Sequence, residues 1–158
     1  AGEAGELVVK GDNVMLGYMK ADKPDVLQKA ENWYDTGDIV KIDDDGFVTV
    51  CGRVKRFAKI GGEMVSLTAV EQALEKLYPN AVFGVLAVTD EKKGEKTVLV
   101  TADANANLPE IQRFFKAQGL SELWCPKEVV YVAEPPLLGN GKFDYLSAQK
   151  TVEKKIAN

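Results

Sequence analysis

The run AVFGVLAVT at Ala81–Thr89, followed by the run TVLVTA at Thr97–Ala102, determines which fold this sequence can adopt. Both runs are short and apolar, and the charged segment Asp90–Lys96 separates them, which predicts two strands joined by a turn. A third stretch, Glu128–Val132, is rich in valine and tyrosine and predicts a third strand. These runs therefore predict a three-stranded sheet.

Helical patterns alternate with these strands. The spacing of Thr68 and Glu71 matches a capping box, and that helix should stop at Pro79. Asn107 can cap a second helix, and Asp144 can cap a final one. The apolar positions of the final helix are Leu146, Val152 and Ile156. From about residue 54 onward the sequence predicts a small α+β domain, which also contains two short strands around Gly61-Gly62.

The preceding residues show a different pattern. Short strands are predicted over Glu6–Lys10, Ile39–Ile42 and Phe47–Cys51, the last two as an antiparallel hairpin, and Pro24–Ala30 is predicted to be a helix. This region is too short, and too poor in apolar residues of its own, to form a complete domain. We expect residues 1–53 to be the antiparallel β remnant of a larger domain and residues 54–158 to form a separate one.

Composition excludes several classes of function. The 158 residues contain no histidine, which rules out nucleophile systems that use a histidine base and the usual zinc sites. With 20 basic and 24 acidic residues, a general attraction to nucleic acid or to an anionic membrane is not expected. Cys51 and Cys125 are expected to be reduced, buried thiols. Any catalysis must use lysine, arginine, carboxylates or backbone groups.

The loop PPLLGNGK at Pro135–Lys142 presents one lysine beside two glycines. Gly139 and Gly141 would let the backbone adopt positive φ, and the ammonium of Lys142 suits a phosphate or carboxylate oxygen. The competing interpretation is a surface turn with a solvated lysine.

Three further clusters combine charge with glycine. They are YDTGD at Tyr34–Asp38, GRVK at Gly52–Lys55 and KIGGE at Lys59–Glu63. Each cluster alone is a weak signal.

In this order and spacing, together with Pro135–Lys142, these motifs resemble the end of the acyl-adenylate-forming (AMP-binding) superfamily. That superfamily includes acyl-CoA synthetases, adenylation domains of peptide synthetases and luciferases. Phe57-Ala58 and Phe143-Asp144 depart from the usual pattern and most resemble the branch of bifunctional acyl-[acyl-carrier-protein] synthetases/2-acylglycerophosphoethanolamine acyltransferases. The resemblance covers nearly the whole chain.

The resemblance implies a role for each motif. Lys142 would be the catalytic cation at the reacting phosphate, and Asp38, Arg53 and Tyr34 would bind the nucleotide. Asp38 could instead be a turn residue, Arg53 a member of a structural salt bridge and Tyr34 a core tyrosine. Lys55 matches a hinge. The thioester-forming loop would consist of Lys59, Gly61, Gly62 and Glu63, for which a plain β-turn is the alternative.

The implied activity is an ATP-dependent fatty acyl-[acyl-carrier-protein] synthetase that forms an acyl-adenylate and then a thioester. Residues 1–53 would form the end of the large domain, and residues 54–158 would be the mobile C-terminal lid domain. The chain alone is expected not to catalyse turnover. Mg²⁺ would be held by ATP or by the rest of the protein, with no metal site in this chain. The expected partners are acyl carrier protein or CoA, a fatty acid and a lysophospholipid.

Two alternatives remain open. One is the lid of an ordinary acyl-CoA synthetase. The other is a module that binds carrier protein without chemistry, through the basic turn containing Lys92, Lys93 and Lys96. A cytoplasmic location is expected, with contact to the inner face of the membrane made by the rest of the protein.

Overall fold

A computed structural model describes residues 2–29 and 33–156. The chain divides into two compact units, residues 1–55 and residues 56–158. The division lies two residues beyond the one predicted after Arg53. The two units are described separately.

The described residues of the first unit form five strands in two antiparallel sheets. Strands β1 (Ala4–Val9), β4 (Tyr34–Ile42) and β5 (Val48–Arg53) form a sheet in the order β1-β4-β5, and β2 (Gly17–Lys20) pairs with β3 (Lys23–Lys29). Among the described residues of this unit, Val40 is the one buried apolar side chain. Val48 and Val50 of β5 are half exposed or more. The unit thus has very little core of its own.

The predicted helix over Pro24–Ala30 is wrong where the structure describes it. Residues 23–29 form β3, and Tyr18 lies opposite Gln28 across the ribbon; Ala30 lies outside the described residues. Pairing with β2 supplies backbone hydrogen bonds that the local pattern does not reveal. Pairing within a local hairpin has therefore overridden a weak helical preference.

In the second unit, residues 56–156 form a hairpin near the start and three α-helices. Its strands are β6 (Phe57–Ile60), β7 (Glu63–Ser66), β8 (Phe83–Asp90), β9 (Gly94–Thr101) and β10 (Glu128–Tyr131). Its helices are α1 (Leu67–Leu77), α2 (Leu108–Ala117) and α3 (Tyr145–Ile156). The predicted α+β fold class is confirmed.

The three predicted strands form the centre of this unit. β9 pairs with β8 antiparallel and with β10 parallel, and the β6–β7 hairpin joins β9 at Ile60 and Gly94. Side chains of β8 and β9 alternate between two cores: Val85 and Leu99 lie in the core that includes α1 and α2 residues, while Leu86 lies in the core that includes α3 residues. Because helices cover both faces of the sheet, the side chains on both faces are apolar. The strands therefore appear in the sequence as continuous apolar runs.

Two of the three predicted helix caps are confirmed. The side chain of Asn107 accepts a hydrogen bond from Glu110 N, and that of Asp144 accepts from Leu146 N and Ser147 N. The prediction for α1 is wrong, since the cap is Ser66, which accepts from Ala69 N.

Two burial predictions also need correction. On α3, Val152 is buried together with Ala148, but the expected core residue Leu146 is 78% exposed. Cys125 is buried, and burial raises the pKa of its thiol, whereas Cys51 is only partly buried. Among residues 2–29 and 33–156, no helix has the length and apolar character needed to cross a membrane.

Candidate functional site

A β-bulge in β4 determines where Asp38 lies. The register between β1 and β4 shifts between Glu6 and Val8, so that Glu6 lies opposite Ile39 and Val8 lies opposite Asp35. At the bulge, Gly37 has φ 71° and its N–H donates to Asp35 Oδ1. Bulges of this kind redirect a side chain locally, and a left-handed residue within one favours glycine.

Thr36 fixes the same bulge from the other side. Its hydroxyl donates to Leu7 O at 2.9 Å and accepts from Asp38 N at 3.1 Å. The backbone on both sides of Asp38 is therefore held in place.

Asp38 and Arg53 lie opposite each other on β4 and β5 and form an ion pair. Arg53 Nε is 3.0 Å from Asp38 Oδ1, and the side chains are 67% and 21% exposed, respectively. An exposed pair like this contributes at most about 1 kcal/mol to stability. Arg53 also lines an open cavity of about 350 Å³ with Tyr34, Thr36 and Lys55. Asp38 does not line the cavity, but its partner does.

Two tyrosines form one wall of this cavity. The hydroxyl oxygens of Tyr18 and Tyr34 are 2.6 Å apart, and their ring centroids are 6.4 Å apart. The hydrogen bond with Tyr18, with smaller effects from desolvation and neighbouring charge, raises the pKa of Tyr34. The two rings offer an aromatic surface beside the Arg53 guanidinium.

Lys55 lies in a single 3₁₀ turn, Val54–Arg56. Its side chain is exposed, and it is the last residue of the first compact unit. A short 3₁₀ connection of this kind needs only a few backbone angles to change for the chain direction to change.

The glycine turn between β6 and β7 contains the other predicted loop. Gly61 and Gly62 have φ 59° and 91°, values that disfavour any residue with a Cβ. Gly61 N donates to Lys93 O, and Lys59 N donates to the carboxylate of Glu95, so the β8–β9 turn supports this loop. The side chains of Lys59 and Glu63 are exposed on either side of the turn.

Lys142 ends a small hairpin loop. Leu138 O accepts from Gly141 N, Leu138 N donates to Lys142 O, and Leu137 and Phe143 form the bridge outside the loop. The sequence predicts positive φ at both glycines of this loop. The φ of Gly141 is 80°, which confirms the prediction there, whereas the φ of Gly139 is not positive. A turn followed by one left-handed glycine is a common three-residue hairpin loop. The Lys142 ammonium is exposed and has no hydrogen-bond or ionic partner in the described part of the chain.

The ring of Phe143 anchors this loop to the sheet. A Cβ added at Gly84 on β8 would lie 2.3 Å from the Phe143 ring, so the ring packs directly on the glycine backbone. The rings of Phe143 and Tyr145 are also 5.1 Å apart. The loop that ends at Lys142 is thus attached to β8 immediately after the lysine.

We expect Gly84→Ala to lower the free energy of unfolding of the chain by about 1–3 kcal/mol, because the ring must move away from its packing site. Urea denaturation followed by circular dichroism measures this change. Gly139→Ala is the matched control, since its Cβ would meet nothing within 4 Å and its φ is not positive. An unchanged urea midpoint for Gly84→Ala would contradict the role of this contact.

A buried polar cluster, which sequence reasoning missed, lies next to the same loop. Arg56 Nη2 donates to Glu71 Oε1 at 2.6 Å, and Arg56 Nη1 donates to Val85 O at 2.9 Å. Val85 N and Tyr145 Oη also donate to the Glu71 carboxylate. The capping-box interpretation assigned Glu71 to its own helix, whereas the structure shows that it binds residues from three other segments.

The structure brings together only some of the predicted site residues. Asp38 pairs with Arg53, and Arg53, Tyr34 and Lys55 line one cavity. In residues 2–29 and 33–156, no hydrogen bond or ion pair links Lys142 to the glycine turn of the second unit. The basic turn proposed for carrier protein is partly neutralised, because Lys96 Nζ is 3.1 Å from Glu128 Oε2.

No family model matches the chain. It is 31% identical over 150 residues to the vibriobactin-specific 2,3-dihydroxybenzoate-AMP ligase of Vibrio cholerae, covering 91% of this chain and 27% of that enzyme. It is 28% identical over 159 residues to the medium-chain fatty-acid–CoA ligase of Escherichia coli, covering 96% of this chain and 28% of that enzyme. The chain therefore spans between a quarter and a third of the length of these relatives.

Solved structures give the same result. The ATP-bound MatB of Rhodopseudomonas palustris superposes with a TM-score of 0.75 and 27% identity, covering 95% of this chain and 30% of that one. These relatives and this structural neighbour belong to the family of AMP-binding acyl- and aryl-CoA ligases. Over nearly all of its length, this chain is similar to ligases that form acyl and aryl adenylates, and its second unit matches their C-terminal domain.

Proposed function

We propose that this chain is the C-terminal part of an ATP-dependent fatty acyl-[acyl-carrier-protein] synthetase, which activates a fatty acid as an acyl-adenylate and then transfers it to a thiol. The observation that supports the proposal most directly is the environment of Lys142. Its ammonium is exposed without a partner in the described part of the chain, on a hairpin anchored to the sheet, and the chain's relatives are adenylate-forming ligases.

Lys142 supplies positive charge in the first step. A fatty-acid carboxylate attacks the α-phosphate of ATP, a bond to phosphorus forms as the bond to pyrophosphate breaks, and negative charge concentrates on the phosphate oxygens. A lysine held in position near these oxygens lowers the barrier, since it needs little reorganisation during the reaction. The anchored hairpin provides such a position, and the exposed side chain can reach a ligand.

Asp38, Arg53 and Tyr34 bind the nucleotide in this proposal. An ionised carboxylate accepts two hydrogen bonds at once, which suits the two ribose hydroxyls. The Arg53 guanidinium uses Nε for Asp38, and its terminal nitrogens have no partner among the described residues, so they can donate to ribose or phosphate. The ring of Tyr34 offers a surface beside the adenosine.

Mg²⁺ is assigned to ATP and to the rest of the enzyme. Within the described residues, no group of three or more histidine, cysteine or carboxylate side chains could hold a metal ion. The chemistry that Mg²⁺ supplies when bound is neutralisation of phosphate charge.

Residues 59–63 and position 55 serve the second step. The thiol attacks the acyl carbonyl, a carbon–sulfur bond forms, and AMP leaves. We assign the turn containing Gly61 and Gly62 to the approach of the pantetheine arm, because the lack of side chains there allows close backbone contact. Lys55 is the backbone hinge about which the C-terminal domain changes pose between the two steps.

The proposed branch also transfers the acyl group to 2-acylglycerophosphoethanolamine. Phe57-Ala58 and Phe143-Asp144 support this assignment through the resemblance. In the structure, Ala58 is completely buried, Phe143 anchors the lysine loop and Asp144 caps α3. These three residues therefore also have structural roles in the second unit. An acyl-CoA synthetase is the alternative.

Half-reaction assays of the complete enzyme that contains this chain would test the proposal. We expect pyrophosphate exchange into ATP that depends on fatty acid, followed by thioester formation on holo-acyl carrier protein. Thioester formation with CoA and not with carrier protein would favour the alternative. Absence of fatty-acid-dependent exchange would contradict both, and the isolated chain, which we expect not to turn over, provides the background rate.

Asp38→Asn is expected to raise the KM for ATP by about 10-fold or more while kcat changes little, because a charge-assisted hydrogen bond to the ribose is lost in both ground and transition states. Steady-state pyrophosphate exchange at varied ATP concentration measures both constants. Asp43→Asn is the control, as its carboxylate accepts hydrogen bonds from the backbone N–H groups of Asp45 and Phe47 and does not line the cavity. An equal rise in KM for both variants would argue against a specific role for Asp38.

A further inference from the structure

The cluster formed by Arg56, Glu71 and Tyr145 is compact and largely shielded from water. The side chains of Arg56 and Glu71 are 15% and 12% exposed, and the Arg56 Cζ atom is 3.8 Å from the centroid of the Tyr145 ring. The guanidinium is therefore held from three directions: by a carboxylate, by the backbone carbonyl of Val85 and by an aromatic face. Arginine alone can make these contacts at once, because its fork is planar and carries several donors.

The same cluster fixes the start of α3. Tyr145 Oη donates to Glu71 Oε2 at 3.2 Å. Burial, followed by the negative charge of Glu71, raises the pKa of Tyr145 to about 12, so this hydroxyl keeps its proton at neutral pH. Tyr145 in turn packs beside Phe143, which lies on Gly84.

The position of these residues along the chain gives the cluster its significance. Arg56 directly follows Lys55, the proposed hinge, and Tyr145 is three residues after Lys142. Glu71 on α1 connects them through one carboxylate, although 15 and 74 residues separate it from Arg56 and Tyr145. A single hydrogen-bonded unit thus joins the first residue after the hinge to the base of the lysine loop.

We propose that Arg56, Glu71 and Tyr145 are positioning residues for Lys142, which make the lysine loop move as one rigid body with the residue that follows the hinge. This inference rests on the proposed function of Lys142. Without the cluster, the loop would keep its local hairpin hydrogen bonds and the contact of Phe143 with Gly84 but lose its hydrogen-bonded connection to position 56. The lysine would then sample positions away from the reacting phosphate, and misplacement of about 1 Å is costly in a preorganised site.

A double-mutant cycle in the complete enzyme tests this inference. Arg56→Lys keeps the charge but cannot maintain all three contacts, and Tyr145→Phe keeps the ring and removes only the hydroxyl. Each is made alone and together with Lys142→Ala, and fatty-acid-dependent pyrophosphate exchange is measured. Arg113→Lys on the exposed face of α2 is the matched control for the arginine change.

We expect Arg56→Lys to lower the exchange rate by about tenfold when Lys142 is present and by less than about twofold when Lys142 is already alanine. Tyr145→Phe should show a smaller effect with the same dependence on Lys142. Equal fold losses in both backgrounds would mean that the cluster only supports folding, and would overturn the inference. If Lys142→Ala itself left the exchange rate unchanged, both the proposed function of Lys142 and this inference would be wrong. That result differs from equal fold losses in both backgrounds, which would overturn only the inference.

Discussion

Replacing Lys142 with alanine in the complete enzyme is expected to lower fatty-acid-dependent pyrophosphate exchange by about 10²- to 10³-fold, the usual cost of removing a preorganised group that stabilises transition-state charge. The backbone of the loop should not change, because its hydrogen bonds involve Leu138 O, Leu138 N and Gly141 N and not the lysine side chain. The loss would therefore reflect the missing ammonium and not a misfolded loop.

Measurement of the second half-reaction distinguishes a role of Lys142 in adenylation from a role in both steps. Thioester formation from preformed acyl-adenylate does not require charge stabilisation at the α-phosphate during pyrophosphate release, so Lys142→Ala should change its rate by less than about threefold. Lys150→Ala provides a control, because it removes an exposed lysine from α3. An equal loss in both half-reactions would contradict the assignment of Lys142 to adenylation.

Much of the second unit could be predicted because its signals are local. Valine-rich runs predicted β8, β9 and β10, and the short polar side chains of Asn107 and Asp144 predicted two helix starts. Each cap joins residues that are at most three positions apart at the start of a helix. The local sequence therefore contains all of the groups that form the cap.

The errors arise where contacts between segments decide the structure. Residues 23–29 form a strand because they pair with the neighbouring β2 in a hairpin. Glu71 has no capping role because Ser66 caps α1, and its carboxylate binds Arg56 and Tyr145 instead. Leu146 has helical spacing, yet α3 buries Ala148 and Val152 and leaves Leu146 exposed. The partners of Glu71 and the exposure of Leu146 have no signal in the neighbouring sequence.

The candidate site residues show the same contrast between local sequence signals and contacts that only the structure reveals. Motif spacing predicts Asp38, Arg53 and Lys142 as site residues, and these roles stay predictions, but it does not show what holds the side chains in place. The bulge at Gly37, the anchor of Phe143 on Gly84 and the Arg56 cluster became visible only in three dimensions. These supporting contacts determine how rigid the site is.

Replacing Lys55 with proline is expected to damage thioester formation by about 10²-fold while adenylation is largely retained. Proline fixes φ near −65°, and forcing it into a backbone that needs a different φ costs about 3 kcal/mol, which corresponds to that factor. If the second step requires new backbone angles at position 55, the penalty falls on that step.

Lys55→Ala distinguishes the backbone from the side chain at the same position. The lysine side chain is exposed, and no hydrogen bond or ion pair of its ammonium is found in the described part of the chain, so alanine should leave both half-reactions within about twofold of the original rates. Single-turnover assays of the two steps give both rates. Equal effects of proline on both steps would mean that position 55 is only a connection, whereas a selective loss in the second step, absent in the alanine variant, would show that backbone rotation at this residue limits thioester formation.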